Sequence, residues 1–321
     1  MSTGWTTDDI PDQTGRTVVV TGATSGLGLE SARALARAGA RVLMAARNQA
    51  KATRARDEVA ATGTGPEPEV VLLDLADLSS VRDAATEVAE RAPALDVVMN
   101  NAGVMALPRA DTVDGYEVQL ATNHLGPFAL TGLLLPALLA AAAPRVVTTS
   151  SQVHRYGRMA WDDLDGRRRH HPWAAYGQSK LANLLFAHEL DRRARAAQVP
   201  LVSAAAHPGY ASTHLQTAGP AMSGSRVGVS FMTYANRFVA QSAAAGALPQ
   251  LYAATMPDVR GGEYFGPRGP FEMHGAPTRV RGNARSRDRA AAERLWALSE
   301  ERTGVTYPWP TPERPTRRGP R

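Results

Sequence analysis

The sequence predicts an α/β protein in which helices cover both faces of a parallel sheet. Two observations lead to this fold class. Short apolar runs alternate with Ala-rich segments of helical periodicity from residue 16 to about residue 255. The runs are largely apolar along their length rather than alternating with polar residues, as expected for strands that are buried on both faces. Because no polar linker rich in Pro and Gly interrupts this alternation, a single doubly wound domain is expected.

The elements follow one another in a regular order. Six strands are predicted, at Thr17–Thr21, Arg41–Ala45, Val70–Leu73, Leu95–Met99, Val146–Thr149 and Leu201–Ala205. Helices are predicted between them, over residues 26–38, 48–61, 79–91, 113–141 and 173–196. A seventh strand is expected near Gly262–Phe265 and a last helix near Arg287–Arg302.

The ends of the chain and one internal segment differ from this pattern. Residues 1–14 are expected to be an N-terminal extension of a domain that spans residues 15–305, and the Pro- and Arg-rich residues 306–321 a disordered tail. Residues 209–240 place apolar side chains around glycines. Two interpretations of that segment stay open, namely additional core helices or a lid over an apolar substrate.

Composition excludes several classes of protein. The chain has 321 residues and no cysteine, which removes disulfides, zinc fingers, iron–sulfur clusters and thiol nucleophiles. Its start lacks the features of a signal peptide, and no uncharged apolar run reaches membrane-spanning length, so a cytoplasmic location is expected. Although the net charge is +6, the basic residues are spread along the chain, and no nucleic-acid partner is expected.

A glycine-rich turn follows the first predicted strand. The sequence TGATSGLG runs from Thr21 to Gly28, and a helix opens at once. Glycines allow a tight turn and a close approach of the backbone to a pyrophosphate, while the helix N-terminus offers free N–H groups to the anion. The turn is therefore predicted to bind a dinucleotide through Gly22, Thr24, Ser25, Gly26, Leu27 and Gly28.

The end of the second strand bears on the choice of dinucleotide. It reads Ala45-Ala46-Arg47-Asn48, without the carboxylate that often binds the ribose 2′-hydroxyl of NAD. Arg47 is placed to pair with a 2′-phosphate, so NADP is predicted, with NAD as the second choice. The alternative is an ordinary arginine at a strand end in a chain rich in arginine.

A tyrosine and a lysine stand four residues apart in YGQSK, Tyr176 and Lys180, at the start of a predicted helix. This spacing puts the phenol and the ammonium on one helix face. The cation is expected to lower the pKa of Tyr176, as general acid–base catalysis near neutral pH requires. Of 36 basic residues only Lys51 and Lys180 are lysines, which makes a lysine here unlikely to be incidental.

Together these motifs resemble the short-chain dehydrogenases/reductases. The resemblance covers residue 15 to about residue 265 and includes Asp74-Leu75, Asn100-Asn101-Ala102-Gly103, Asn123 in NHLG, Ser151, and Pro208-Gly209 with Thr213. Three sequence segments are most similar to the branch of retinol dehydrogenases and protochlorophyllide reductases: LDLADLSSVR, NHLGPFALT and SKLANLLF. One departure is the longer separation of Ser151 from Tyr176, caused by the insertion DDLDGRRRHHPW; that branch carries a similar one.

The resemblance implies a Rossmann-type fold with a seven-stranded parallel sheet and NAD(P)-dependent interconversion of an alcohol and a carbonyl. It implies that Tyr176 is the acid–base, that Ser151 polarises the carbonyl, that Lys180 assists Tyr176 and holds the nicotinamide ribose, and that Asn123 fixes a water. Ser150 is the alternative to Ser151, and Asn123 has a structural alternative as a buried residue bonded to backbone. Further cofactor contacts are implied at Asp74, Leu75, Asn101, Ala102, Gly103, Tyr176, Lys180, Pro208 and Thr213.

The competing interpretation is an NAD(P)-binding redox sensor that catalyses nothing; the intact Tyr176 and Lys180 favour an enzyme. The substrate is expected to be a small hydrophobic molecule. No metal is expected, because the histidines lack ligand spacing. A homo-oligomer is compatible with the sequence but is not specified by it.

Overall fold

The computed structural model describes residues 4–209 and 242–310. In these residues eight strands form one sheet in the order β3-β2-β1-β4-β5-β6-β7-β8. The strands are β1 (Thr17–Thr21), β2 (Arg41–Ala46), β3 (Glu69–Leu72), β4 (Val97–Asn100), β5 (Arg145–Thr149), β6 (Val202–Ala206), β7 (Tyr264–Pro267) and β8 (Pro277–Val280). Strands β1 to β7 pair in parallel, and β8 pairs antiparallel to β7.

Helices connect the parallel strands, as crossover connections must. Those in the described ranges are α1 (Gly26–Arg37), α2 (Gln49–Ala60), α3 (Leu78–Arg91), α4 (Val118–Leu120), α5 (Gly126–Leu133), α6 (Leu135–Leu139), α7 (Pro172–Ala196), α8 (Ala243–Thr255) and α9 (Arg289–Thr303). A π-helical turn (Ala121–Leu125) joins α4 to α5, and short 3₁₀ turns lie at Gln152–Arg155 and Pro270–Glu272.

The core lies on both faces of the sheet. Strand β1 is buried at all five residues. Val19 packs into one apolar layer with Phe128 of α5, while Val18 and Val20 pack into the other with Leu35 of α1. Side chains that alternate between two buried layers explain why the strands read as uninterrupted apolar runs. The predicted doubly wound α/β architecture is confirmed.

The predicted number of strands is wrong, because the sheet has eight strands rather than seven and is not wholly parallel. Strand β8 has the sequence PTRV, pairs among the described strands with β7 only, and is not buried at any position. An edge strand of this kind carries no continuous apolar run, so the pattern that reveals buried strands does not detect it.

Two predicted boundaries also differ from the structure. The helix expected over residues 113–141 is divided into α4, the π-helical turn, α5 and α6, with prolines in the first turns of α5 and α6. The expected tail begins too early, because Tyr307 is buried and its hydroxyl donates to the carbonyl of Phe128 at 2.8 Å. The predicted lid, apart from Gly209, lies outside the described residues. In residues 4–209 and 242–310 no helix has the length and apolar character needed to cross a bilayer.

Candidate active site

The glycine turn lies at the carboxyl end of β1, between β2 and β4, where strand order reverses. Such switch points form the ligand crevice of open α/β sheets. Gly22 and Gly26 have φ values of +69° and +55°, which favour glycine. Helix α1 begins at Gly26, and the Ser25 side chain makes no capping hydrogen bond. The first N–H groups of α1 are therefore left for an anion.

Gly28 is required by close packing. A Cβ atom there would lie 2.3 Å from the carbonyl oxygen of Gly22 and 2.6 Å from Nδ2 of Asn101. The Asn101 amide donates to the carbonyl of Thr21 at 2.8 Å. The glycine turn and the segment after β4 thus form one packed unit.

This unit borders a cavity of about 420 Å³, a volume typical of small-molecule sites. The cavity fits an extended dinucleotide, since a glycine cradle lies at one wall and the ends of β2, β3 and β4 form the others. Twelve of the predicted cofactor residues line it: Gly22, Thr24, Ser25, Gly26, Leu27, Gly28, Arg47, Asp74, Leu75, Asn101, Ala102 and Gly103.

Lys51 also lines the cavity, and the sequence reasoning did not assign it to the cofactor. It lies in the first turn of α2, where the Asn48 side chain caps the helix by accepting from the Lys51 N–H at 2.9 Å. The signal that could have found it was present in the sequence. Lys51 is one of two lysines in the chain, four residues after Arg47.

Asp74 has the local role that loop carboxylates often have. Its Oδ1 accepts from the N–H of Ala76 at 2.9 Å, and its own N–H donates to Ser80. The residue nevertheless borders the cavity, so a contact with the adenine stays a prediction.

The two serines after β5 have different environments. Ser150 is buried, and its hydroxyl donates to the carbonyl of Lys180 at 2.8 Å. Ser151 Oγ accepts from the N–H of Val153, and this side chain is near enough to Tyr176 to lower the pKa of the phenol. Ser150 thus anchors helix α7, whereas Ser151 is directed at the candidate acid–base.

Tyr176 and Lys180 lie on one face of α7 and are both buried. The Lys180 Nζ lies 5.7 Å from the centre of the Tyr176 ring and donates to the carbonyl of Thr149 at 3.1 Å. The end of β5 therefore fixes the ammonium beside the phenol.

The expected lowering of the Tyr176 pKa is not found. Burial raises the pKa of Tyr176 to about 12, and the neighbouring Ser151 side chain lowers it by less. Burial also lowers the pKa of Lys180 to about 8. Both shifts have one cause, because removal from water disfavours the charged form of either group. Additional positive charge at the site would favour the phenolate.

Asn123 lies in the π-helical turn and is buried. Its amide group bridges the backbone of Val104, with Oδ1 accepting at 2.7 Å and Nδ2 donating at 2.9 Å, and Nδ2 also donates to Ser179. These are the contacts of the structural alternative. The water-holding role stays a prediction.

Of the two remaining predicted cofactor residues, Pro208 is described and Thr213 is not. Pro208 follows β6, just before Gly209, whose φ is +68°. Thr213 lies outside the described residues.

The 162–173 insertion packs on the start of α7, where the Gln178 amide donates to the carbonyl of Leu164 at 2.9 Å. Arg302 binds the Asp165 carboxylate with two nitrogens, each at 3.0 Å.

Comparisons with known proteins agree with this geometry. The family model "short chain dehydrogenase" matches residues 16–223. Mouse retinol dehydrogenase 14 is 37% identical over 303 residues, covering 91% of this chain and 86% of its own length. Mouse polyprenol dehydrogenase is 38% identical over 303 residues, covering 92% of this chain and 86% of its own length.

Solved structures show the same fold. A crystal structure of an uncharacterized protein from Mycobacterium Paratuberculosis has a TM-score of 0.79 and 45% identity, with 95% of this chain and 100% of that chain covered. A short chain dehydrogenase from Shigella flexneri 2a, complexed with NADP, has a TM-score of 0.61 and 25% identity, with 79% and 97% covered. The predicted family is confirmed: the chain belongs to the short-chain dehydrogenases, on the retinol-dehydrogenase-like side, and is an NAD(P)-dependent oxidoreductase that interconverts alcohols and carbonyls.

Proposed function

We propose that the protein is an NADP(H)-preferring dehydrogenase/reductase for a hydrophobic alcohol or its carbonyl product, with Ser151, Tyr176 and Lys180 as its catalytic residues. One observation carries the proposal. The Ser151 side chain lies close enough to Tyr176 to lower the pKa of its phenol, and the Lys180 ammonium lies 5.7 Å from the centre of the same ring.

The three side chains divide the work in the direction of reduction. Ser151 Oγ donates a hydrogen bond to the carbonyl oxygen of the substrate and polarises it. Tyr176 gives its hydroxyl proton to that oxygen as negative charge develops there. Lys180 stabilises the phenolate that is left, because its ammonium is held close to the ring by the Thr149 carbonyl. A bound nicotinamide supplies the hydride, and in the alcohol-oxidising direction each role is reversed.

The preference for NADP(H) is supported by the charges at the far end of the cavity. Arg47 and Lys51 both line it, and no carboxylate lines the wall formed by Ala45 and Ala46. Two cations favour a phosphate over a hydroxyl, and the carboxylate that also lines the cavity, Asp74, follows β3 rather than β2. The solved short chain dehydrogenase from Shigella flexneri 2a is complexed with NADP, which is compatible with this choice.

Two exposed aromatic residues, one packed on Tyr176 and one bonded through its backbone to the neighbour of Ser151, support a hydrophobic substrate. Trp173 is 44% exposed and packs edge-on against Tyr176, with ring centres 6.1 Å apart. Phe271 is 86% exposed, and its carbonyl accepts a hydrogen bond from Gln152, the neighbour of Ser151. Exposed aromatic rings next to a site typically bind apolar ligand surface. The names of the relatives, retinol and polyprenol dehydrogenases, point to substrates of the same class.

The test is a turnover assay on the full chain. Retinol, a polyprenol and ethanol are each offered with NADP and with NAD, and formation of the reduced cofactor is followed by absorbance. We expect turnover of an isoprenoid alcohol with NADP, weak turnover of ethanol, and loss of activity in Tyr176→Phe. Faster turnover with NAD contradicts the cofactor choice, and ethanol as the best alcohol contradicts the substrate class. Tight NADP binding without turnover of any alcohol or matching aldehyde would favour a sensor.

A further inference from the structure

The turn between β7 and β8 contains two consecutive residues in the left-handed region. Phe271 has a φ of +54° and Glu272 a φ of +56°, and neither is glycine. Side-chain-bearing residues rarely adopt this conformation, and it persists only where surrounding contacts hold it. The contacts that hold this turn lead directly to the reacting groups.

One set of contacts joins the turn to the segment that carries Ser151. The 3₁₀ turn Gln152–Arg155 starts immediately after Ser151, which caps it. The Gln152 side-chain amide donates to the carbonyl of Phe271, and the Arg155 guanidinium pairs with Oε1 of Glu272 at 3.0 Å. Both ends of the 3₁₀ turn are thereby attached to the strained pair.

A second set joins Glu272 to the end of β6. The His207 ring is buried, and its Nδ1 accepts from the N–H of Gly209 at 3.1 Å. A neutral ring that accepts at Nδ1 carries its proton on Nε2, which donates to Oε2 of Glu272 at 3.1 Å. His207 thus closes the Pro208–Gly209 turn with one nitrogen and binds Glu272 with the other.

The His207 ring occupies a space made for it. A Cβ atom on Gly266 of β7 would lie 2.0 Å from its Nε2, and the Tyr264 ring packs 5.2 Å from it, centre to centre. The orientation of the ring, and hence its bond to Glu272, follows from the packing of β7 rather than from chance.

We propose that Glu272 is a positioning residue, which uses its two carboxylate oxygens to set the placement of Ser151 relative to the Pro208–Gly209 turn. This inference rests on the proposed function, in which Ser151 binds the carbonyl, and on the predicted cofactor contact of Pro208. Transfer between two bound groups depends on their distance and angle, and a displacement of about 1 Å far from the chemistry can cost about 100-fold in rate.

The two donors on either side of residue 272, Arg155 and His207, require a carboxylate between them. Arg155 and the His207 Nε2–H are both donors, so the bridging group must accept on both sides, and a glutamine could accept on one side only. The hydrogen bond from His207 holds the pKa of Glu272 below its usual range, while burial lowers the pKa of His207. A neutral imidazole and an ionised carboxylate are therefore the states present near neutral pH.

A matched comparison exists in the same hairpin. Glu263 precedes β7 and binds Arg279 of β8 at 2.6 Å, at the opposite end from Ser151. Both glutamates belong to the β7–β8 hairpin, and each forms an ion pair with an arginine. If Glu272 merely stabilised the hairpin, the two glutamates would behave alike.

Amide hydrogen exchange on the full-length protein tests the positioning directly. In Glu272→Gln we expect exchange to be about tenfold faster at residues 152–157 and 207–209, with no change in β1 and α1. Glu263→Gln should leave both segments as in the wild type. Of the contacts that Glu272 makes, Arg155→Met removes only the ion pair, and it should accelerate amide exchange at residues 152–157 but not at residues 207–209. This variant keeps the test available if Glu272→Gln folds poorly. Unchanged exchange at residues 152–157 in either Glu272→Gln or Arg155→Met overturns the proposal.

Kinetics separate positioning from plain stability. With retinal and NADPH, we expect Glu272→Gln to lower kcat by about tenfold or more, while KM for NADPH changes by less than about threefold. The primary deuterium isotope effect on kcat should rise, because misalignment makes hydride transfer more limiting. A fall in thermal stability with normal kcat overturns the proposal. If wild type itself does not turn over retinal, the proposed substrate class fails, and the exchange experiment still decides the role of Glu272.

Discussion

The two ends of the reaction cleft are built in different ways. Most of the nucleotide end is formed by the glycine turn and the segment from the end of β2 to Lys51, which are near one another in sequence, while Asp74 and Asn101 join it from later in the chain. The reaction end, at the carboxyl ends of β5 to β7, is made of side chains brought together from distant positions: the Gln152 amide reaches Phe271, and His207 reaches Glu272. Local sequence determines the first end, whereas long-range packing determines the second.

The largest effect is expected at Lys180. Its ammonium is buried against the Thr149 carbonyl, and a Cβ atom on Gly103 would lie 3.3 Å from Nζ. A planar guanidinium does not fit this space, so Lys180→Arg should keep the charge and lose about 10³-fold in kcat. Circular dichroism and NADP binding serve as checks that the fold survives. Near-normal turnover would remove Lys180 from the mechanism and show that the reaction end tolerates remodelling.

The paired serines give the next largest difference. Ser151→Ala should lower kcat by about 10²-fold with little change in cofactor affinity, because it removes the hydrogen-bond donor to the carbonyl. Ser150→Ala removes a bond to the Lys180 carbonyl and should lower the melting temperature more than kcat. Turnover and thermal unfolding of both variants decide the matter. The reverse pattern would place the catalytic hydroxyl one residue earlier.

The glycine turn should respond to volume rather than to charge. Gly28→Ala introduces a methyl group 2.3 Å from the Gly22 oxygen, so the turn must move. Overpacking of this kind costs about 1–3 kcal/mol, and NADP affinity should fall by about tenfold. Gly115→Ala is the control, since a Cβ atom there meets nothing within 4 Å although its φ of +81° adds backbone strain. Fluorescence titration with NADPH measures both; equal affinities would show that the turn does not hold the pyrophosphate.

The cofactor preference should change with a single carboxylate. Ala46→Asp places a negative charge at the end of β2 beside Arg47, where it would repel a 2′-phosphate and accept from a ribose hydroxyl. The ratio of NADP to NAD affinity should fall by about tenfold, while kcat at saturating cofactor stays within about threefold. Parallel titrations with both cofactors measure the shift. A ratio unchanged by this substitution would locate the phosphate contact elsewhere.

The smallest effect concerns acid stability, which should depend on the part of the chain after residue 120, because all eight histidines lie there. Burial lowers the pKa of His124 to about 3 and that of His154 to about 4, against about 6.5 in the unfolded chain. The unfolded state therefore takes up protons first, and stability falls as pH decreases from about 6.5 towards 4, by up to about 1.4 kcal/mol per unit for each histidine.

Urea unfolding across this range measures the acid effect. His124→Gln cannot titrate and should show a shallower decline than wild type, although it starts less stable because it disturbs the contact with Ser299 at 2.8 Å. Parallel slopes for the two proteins would mean that His124 contributes nothing to the acid sensitivity.

The same contrast explains which features were predictable. Buried strands such as β1 and the glycine turn leave a continuous local signature, and the YGQSK spacing puts Tyr176 and Lys180 on one helix turn. Strand β8 leaves no such signature, because half-exposed Pro277 and exposed Arg279 resemble a loop. The pKa of Tyr176 was expected to fall, yet burial, which only the fold reveals, raises it. The bridge from His207 through Glu272 to Arg155 joins three segments whose proximity depends on β6, β7 and β8 pairing.

The unpredicted edge strand has a consequence for the behaviour of the protein at high concentration. A free strand edge invites a second chain to extend the sheet, which leads to aggregation. Strand β8 is only four residues long and begins at Pro277, which has no N–H to offer, and its Arg279 is engaged by Glu263 and Asp258. A chain adding there would find a short ladder and a charged side chain already paired. Among the described residues, the sheet edge nearest the reacting groups therefore offers little backbone for a second chain to pair with.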